Sequence, residues 1–522
     1  MKNKKQLVKS SLLVMITVLF GKMLGFVKQS VIAWKFGTSS ALDVYYSADS
    51  FVCLIAQTLL LSIPPAIVTI ILKIKDKDSE LEKEKFINSV FTFFIVASFA
   101  LAIVNCLLSP IMPKILGISY DINQQSILTK YLIFLSPTII FASLSAVSSG
   151  FLQSKNKFVQ DKLMGIFFSI SIILCTIFLG SKIQVNALLI GFVAGYFLFF
   201  VFMMILFFKN VHIKLVNPLK NKHFVKYLKI LLPIIIGISV VDISHLIDKI
   251  IASSLESGSV SILYYSQIIC GDLVNGIIIA SIGLVLLPKI TMEIKEKESK
   301  DIVKDINNIL SISVPILILI TTLYIAVGKN IISLVFERGV FTEESTNLVF
   351  KSVFFYSLGL PFIMIKEIAL KYLYAMEDGA TTMKANIISI LVNIFLSIVL
   401  SRYLGCSGIA LATTISLAFT NFILFSGIKK RINVERIINR DCILDVFKSI
   451  VTLSILLVLG LFMNKVIINS IISLIVIGLL TIVLFIITIK ALDTRLYKEI
   501  SQFYNDFIKK FKQNKKRNEE CI

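Results

Sequence analysis

The sequence predicts an all-α polytopic membrane protein of about fourteen transmembrane helices, on three grounds. Apolar residues make up 56% of the 522, charged residues only 16%, and the mean hydropathy is +0.88. A soluble chain of this length carries far more surface charge. Stretches of roughly 20 apolar residues, enough to cross a hydrocarbon core, recur from end to end. The basic residues between them alternate by side, as the positive-inside rule requires. No period-2 strand pattern competes, which excludes an outer-membrane barrel.

The first apolar run, Ser11–Trp34, is too long for a secretory h-region and contains Lys22 and Lys28, so it reads as a retained span. Further spans follow at Ala41–Leu72, Phe86–Ile111, Ser126–Leu152, Lys162–Leu179 and Val185–Phe208. A lysine-rich linker separates these from Tyr227–Ser253, Ser259–Leu287, Ile306–Val327, Asn347–Met376, Met383–Tyr403 and Gly408–Ile428. Phe447–Met463 and Val466–Ile489 complete the set. Lysines cluster before the first span and after the second, fourth, eighth and twelfth, while the opposite loops carry few. Both termini are therefore expected in the cytoplasm. This one-sided distribution accounts for a net charge of +21 without a nucleic-acid partner.

A shift of 219 positions, which carries Tyr45 onto Tyr264, also pairs Ile32 with Ile251, Ala33 with Ala252, Ser40 with Ser259, Tyr46 with Tyr265 and Ser47 with Ser266. It predicts two six-helix lobes related by a pseudo-two-fold axis along the membrane normal. The expected organisation is an N-terminal lobe over 1–210, a cytoplasmic linker over 211–226, a C-terminal lobe over 227–430, two additional helices over 431–491 and a basic tail over 492–522. In that tail Leu496, Ile500, Phe503, Phe507 and Phe511 recur at helical spacing between lysines. This pattern fits an amphipathic helix on the membrane surface; a solvated basic tail is the plainer alternative.

Ionisable groups inside spans cost about 2.5–3.5 kcal/mol each at the helix centre on insertion scales, so they mark cavities or paired partners. Lys22 and Lys28 lie in the first span, Asp43 and Asp49 in the second, Asp242 and Asp248 in the seventh, and Asp272 in the eighth. The two lysines correspond by position to Asp242 and Asp248 in the other half. Either the lysines meet an anionic group such as a diphosphate, or they pair with the aspartates and hold the halves together. Lys249, next to Asp248, reads as a local ion pair. The seven cysteines show no C-x-x-C and the three histidines are dispersed, so neither set forms a metal site. With short loops and no cluster of acid–base groups, an enzyme is not expected, nor is a cofactor.

Gly21-Lys22-Met23-Leu24-Gly25-Phe26-Val27-Lys28, Phe36-Gly37 and Leu42-Asp43-Val44-Tyr45-Tyr46 are similar to the first-span signature of the MurJ (MviN) lipid II flippases. These belong to the multidrug/oligosaccharidyl-lipid/polysaccharide exporter superfamily. Ser149-Gly150-Phe151-Leu152-Gln153, Ser257-Gly258-Ser259-Val260 and Phe336-Glu337-Arg338-Gly339-Val340-Phe341-Thr342 resemble further signatures of that family, as does Gly359-Leu360-Pro361. The resemblance implies a monomeric transporter of the bacterial cytoplasmic membrane. It would flip an undecaprenyl-diphosphate-linked sugar precursor, lipid II for peptidoglycan, by alternating access. It implies a cationic cavity for the diphosphate at Lys22, Lys28, Asp43 and Asp49, and a groove along the last two helices for the lipid tail. Asp242, Asp248 and Asp272 are candidates for cavity charge or for a coupling ion, Na+ or H+; membrane potential is the other possible drive. The family's first-span arginines stand here as lysines, which keep charge and lose bidentate geometry. A flippase for another lipid-linked unit (capsule, O-antigen or teichoic type) and a drug/cation antiporter of the superfamily are the alternatives.

Overall fold

The computed structural model describes residues 2–74, 79–272, 274, 290, 298–466, 470–492, 494–498 and 501–502. Among these, thirteen helices are long and apolar enough to cross a membrane. Of the expected eighth span, Ser259–Leu287, residue 273 and residues 275–287 lie outside the described residues. So do residues 503–522, with Phe503, Phe507 and Phe511.

Chain order begins with α1 (Lys2–Phe36), α2 (Ser40–Lys73) and α3 (Ser79–Leu108), then the short α4 (Pro113–Leu116). The expected span Ser126–Leu152 is two helices, α5 (Ile122–Leu135) and α6 (Pro137–Ser154). Pro137 has no N–H to continue the ladder and sits instead at the first position of α6, where none is needed. Next come α7 (Val159–Lys162), α8 (Met164–Ile183) and α9 (Asn186–Phe208). After the linker follow α10 (Lys222–Ser253) and α11 (Ser259–Gln267), which runs into a π-helical turn at Ile268–Asp272. The remaining helices are α12 (Ser299–Phe336), α13 (Glu343–Ala375), α14 (Gly379–Leu404), α15 (Cys406–Ile432), α16 (Arg440–Val466) and α17 (Ser470–Ala491).

The chain forms two compact units. The first comprises 1–268, 335–349 and 393–409. Within it α2 packs against α6 and α10, and α8 against α1 and α9. Lipid offers no hydrophobic drive between helices, so close backbone approach matters. Gly191 and Gly195 supply it: a Cβ at either position would meet the backbone of α8 at 2.8 Å, at Ile172 and Phe168. Gly150 does the same where α6 crosses α2 beside Pro64 and Ile67.

The second unit comprises 269–334, 350–392 and 410–522. Pro361, inside α13, cannot donate to the carbonyl of Ser357, and Thr321 Oγ1 of α12 donates to that oxygen instead at 2.8 Å. Beside it Thr414 and Asn421 of α15 donate to the carbonyls of Phe355 and Phe362. The last two helices pack on α12 through Leu453, Leu456, Phe485 and Ile489 with Ile312 and Ile316. Leu496, read from sequence as the start of a membrane-facing stripe, is buried in this cluster, and Arg495 Nη1 donates to Asn308 Oδ1 at 2.6 Å. Outward faces such as Val458, Phe462, Ile475 and Leu479 are exposed and apolar, as lipid contact demands.

Candidate functional site

The turn between α1 and α2 rests on Gly37, whose φ of +60° favours glycine, and on the close approach of the Val340 carbonyl to that residue. The Val340 N–H in turn donates to the Trp34 carbonyl at 3.1 Å. One turn into α2 lies Asp43. The N-cap of α11 is Gly258, at φ +92°, which has no side chain to receive the free N–H groups of that helix. Asp43 supplies the acceptor from α2. Its carboxylate takes the Gly258 N–H at 2.6 Å, the Ser261 N–H at 2.8 Å and the Ser261 hydroxyl. A carboxylate at a helix N-terminus also meets the positive end of the helix dipole. Nearby, Thr38 and Ser345 hydroxyls lie 2.8 Å apart, and Tyr265 donates to the Gly37 carbonyl.

Further along α2, a second group forms. Asp49 is 6% exposed, Lys28 of α1 is 9% and Lys249 of α10 is 8%. Three ionisable side chains from three helices are thus withdrawn from the surface together. The charges that attract the Asp49 carboxylate are those of Lys249 and then Lys28. Lys249 Nζ donates to Ser50 Oγ at 2.6 Å and lies 4.6 Å from the centre of the Tyr264 ring. Tyr264 stacks on Tyr46 at 3.9 Å, and Tyr46 donates to Gln29 Oε1 at 3.0 Å. Lys28 Nζ lies 4.6 Å from the centre of the Phe168 ring on α8. The Cys53 thiol points to Asp49 Oδ1 at 3.5 Å. Each of the two ammonium groups thus rests on an aromatic face.

The structure buries Lys28 and Asp49 and places Asp43 in the cap of α11. Lys22, six residues before Lys28, is half-buried. Asp242 is half-buried and feels the charge of Lys249. Asp248 is buried, with Ser397 Oγ of α14 at 3.4 Å. The side chain of Asp272 lies outside the described residues. The residue that sequence reasoning missed as part of this group is Lys249. Helical geometry held the signal: neighbours along a helix point about 100° apart, so Asp248 and Lys249 face different surroundings.

The sequence model of the family described as lipid II flippase MurJ matches residues 32–490. Curated relatives include a probable lipid II flippase MurJ of Treponema pallidum (strain Nichols), 26% identical over 82% of this chain and 83% of the relative. Another, from Buchnera aphidicola subsp. Baizongia pistaciae (strain Bp), is 25% identical over 88% and 90%. Among solved structures, a lipid II flippase MurJ in an inward closed conformation superposes with a TM-score of 0.80. It is 27% identical and covers 95% of this chain and all of that one. An inward-facing multidrug resistance MATE transporter of the MOP superfamily gives a TM-score of 0.65 at 12% identity, over 80% of this chain and 98% of that chain, which is a likeness of fold.

Proposed function

The chain belongs to the lipid II flippase MurJ family, and on that premise we propose that it moves lipid II, an undecaprenyl-diphosphate-linked precursor of peptidoglycan, from the cytoplasmic to the outer leaflet. The observation that carries this reading is the burial of Lys28 and Lys249 beside Asp49 among membrane-length helices. Buried cations at membrane depth require an anion, and the diphosphate of a lipid-linked sugar is one. Lysine is a mobile point charge, suited to a ligand that must be released again. The lipid tail then stays in the bilayer along the last two helices while the headgroup crosses.

Transport by alternating access needs a seal that parts. The Asp43 cap on α11 and the contacts of Gly37, Trp34 and Thr38 with Val340 and Ser345 lie at helix ends that the charge pattern places outside the cell. We read them as part of the outer seal that parts in that cycle. Asp248, facing Ser397, is the proposed site for a coupling cation (Na+ or H+), and Asp242 is its second candidate. Both termini and the linker 209–226 are placed in the cytoplasm, so a cysteine at position 220 is expected to label only from that side.

A second reading, a flippase for another lipid-linked unit, draws on one observation: Lys22 and Lys28 offer charge without the planar fork of arginine. Complementation separates the two. The chain is expected to restore growth, and outer-leaflet lipid II, in a bacterium depleted of its lipid II flippase. Normal insertion without either recovery overturns the lipid II assignment. Rescue of a strain lacking a capsule or O-antigen flippase then establishes the second.

A further inference from the structure

The linker that follows α9 is tied to α3 along its length. His212 donates its N–H to Glu84 Oε1 of α3 at 3.2 Å, and its carbonyl accepts from Asn88 Nδ2 at 3.1 Å. Four residues on, the Val216 N–H meets Thr92 Oγ1 at 3.3 Å. Glu84, Asn88 and Thr92 recur every fourth residue, so they mark one stripe of α3, and about 12 Å separates the first from the last. By His223 the chain is back at the start of α3, with His223 Nε2 3.2 Å from Glu82 Oε2. The linker thus runs in along α3 and returns.

The depth it reaches follows from α3 itself. The first turns of that helix carry Glu80, Glu82, Lys83, Glu84 and Lys85, and from Phe86 to Leu108 it holds no charge. Thr92 lies about 10 Å past that boundary, inside the apolar part of the span. Beside Val216, the side chains of Leu215 and Leu219 are 73% and 74% exposed, as open as Val96 of α3 at 67%. Backbone at such depth needs its polar groups met within the protein. The Leu219 N–H goes to Asn217 Oδ1, that of Lys220 to the Asn217 carbonyl, and Pro218 has none to place. Lys209, Lys214, Lys220, Lys222 and Lys226 are exposed along the same stretch, and no acidic residue occurs from Lys209 to Val241. The acids of α3 that meet the linker face His223 and the His212 N–H.

We propose that residues 212–220 form a re-entrant segment in the cytoplasmic leaflet, where the charge pattern puts the linker, with Leu215 and Leu219 among acyl chains and Lys214 and Lys220 holding the headgroups of anionic phospholipid. Leucine sets the depth, and lysine, whose stem is apolar and whose tip is charged, selects the headgroup. The partner is bulk phospholipid of the phosphatidylglycerol type. The lysines are exposed rather than enclosed, which suits a ligand abundant in the surrounding membrane. Because His223 and Phe224 bind Glu82 and Phe93 directly after this segment, anionic lipid steadies the start of α10 against α3.

The test uses full-length protein in nanodiscs of mixed phosphatidylcholine and phosphatidylglycerol, with one lipid or the other brominated on its acyl chains. Leu219→Trp puts a fluorophore at the exposed position, and wild type, whose single tryptophan is Trp34, is the blank. Brominated phosphatidylglycerol is expected to quench the added signal more strongly than brominated phosphatidylcholine. Lys214→Gln and Lys220→Gln are each expected to cut that preference about fivefold, the worth of one lysine at an anionic surface. No quenching by either lipid overturns the insertion, and equal quenching by both overturns the headgroup contact. Quenching relieved by equimolar undecaprenyl diphosphate would make the segment a substrate site and overturn the assignment to bulk phospholipid. Should Leu219→Trp fail to fold, wild type decides through hydrogen exchange of peptides over 212–220. Exchange is expected to be slower with phosphatidylglycerol than in pure phosphatidylcholine, and equal rates overturn the proposal.

Discussion

Asp43 and Asp49 lie on the same helix, both buried, and about 120° of helical rotation separates them. That rotation gives them different neighbours and different physics. Asp43 turns toward α11 and completes a helix terminus that glycine leaves uncapped. Asp49 turns toward α1 and α10 and sits among cations. The first carboxylate is satisfied by donors fixed in the backbone; the second is balanced by flexible side chains. Burial alone therefore does not make an aspartate a ligand site. What surrounds it decides whether it holds the fold or exchanges its partners.

The largest effect expected is at Asp43. Asp43→Ala removes the acceptor for three donors and leaves buried N–H groups of α11 unpaired, a loss of about 3 kcal/mol. Thermal unfolding in detergent is expected to drop sharply and flipping to cease, with Asp43→Asn retaining part of both. A variant that unfolds like wild type yet does not flip would instead make Asp43 a substrate contact and erase the distinction drawn here.

Lys28→Ala comes next. Asp49 still has Lys249, so stability is expected to change less than for Asp43→Ala, while flipping falls by tenfold or thereabouts. Lys28→Arg keeps the charge and is expected to retain part of the activity. Lys22→Ala, at a half-buried position, is expected to cost less. Leaflet-resolved accessibility of lipid II at matched protein level reads all three. Equal loss from Lys22→Ala and Lys28→Ala would move the centre of the site away from Asp49.

A double-mutant cycle sharpens the comparison further. Lys28→Ala combined with Asp49→Ala is expected to show a coupling of about 1–3 kcal/mol in stability, as residues sharing an ion-pair network do. Lys28→Ala with Asp248→Ala is expected to be additive within about 0.5 kcal/mol, since Asp248 faces Ser397. Strong coupling in the second pair would support the pairing of Lys28 with Asp248 that their matching positions in the two halves predict.

Much of the fold was legible because a bilayer imposes simple rules. Length and apolar content located the spans, some closely, as with Val185–Phe208 against the observed Asn186–Phe208, and some short of the helix, as with Ile306–Val327 against the observed Ser299–Phe336. Where they erred, chain chemistry explains it: Pro137 divides one expected span into two helices. The site was legible in its residue types, since lysine and aspartate inside apolar runs stand out, and Lys28 and Asp49 are both buried. Their partners were not legible. Asp43 reads identically as a cavity charge until Gly258 is seen in space 215 positions later. Lys249, read from sequence only beside Asp248, reaches Ser50 and the Tyr264 ring as well. Sequence shows which side chains need partners, and only the packing of helices says which ones they get.

The smallest effect expected lies outside the spans, where the same capping chemistry as at Asp43 operates in contact with water. Asp378 precedes α14, and its carboxylate accepts from the Thr381 N–H at 3.0 Å and from the Thr381 hydroxyl at 2.8 Å. The bond from the backbone N–H, and then that from the hydroxyl, hold its carboxyl below the usual value of 3.8. A folded-state value below the unfolded one means the stabilisation is complete at neutral pH, persists down to the unfolded value, and disappears as pH falls through the folded one. Asp378→Ala is therefore expected to speed amide hydrogen exchange at Thr381 by about fivefold at pH 7, the worth of an ordinary N-cap. At a pH well below 3.8 the wild-type carboxyl is protonated, and the two proteins are expected to exchange alike. A difference that persists there would assign the protection to packing rather than to the charged cap. Removal of this cap is expected to leave flipping untouched, because solvent takes over the freed N–H, a remedy that the buried end of α11 lacks.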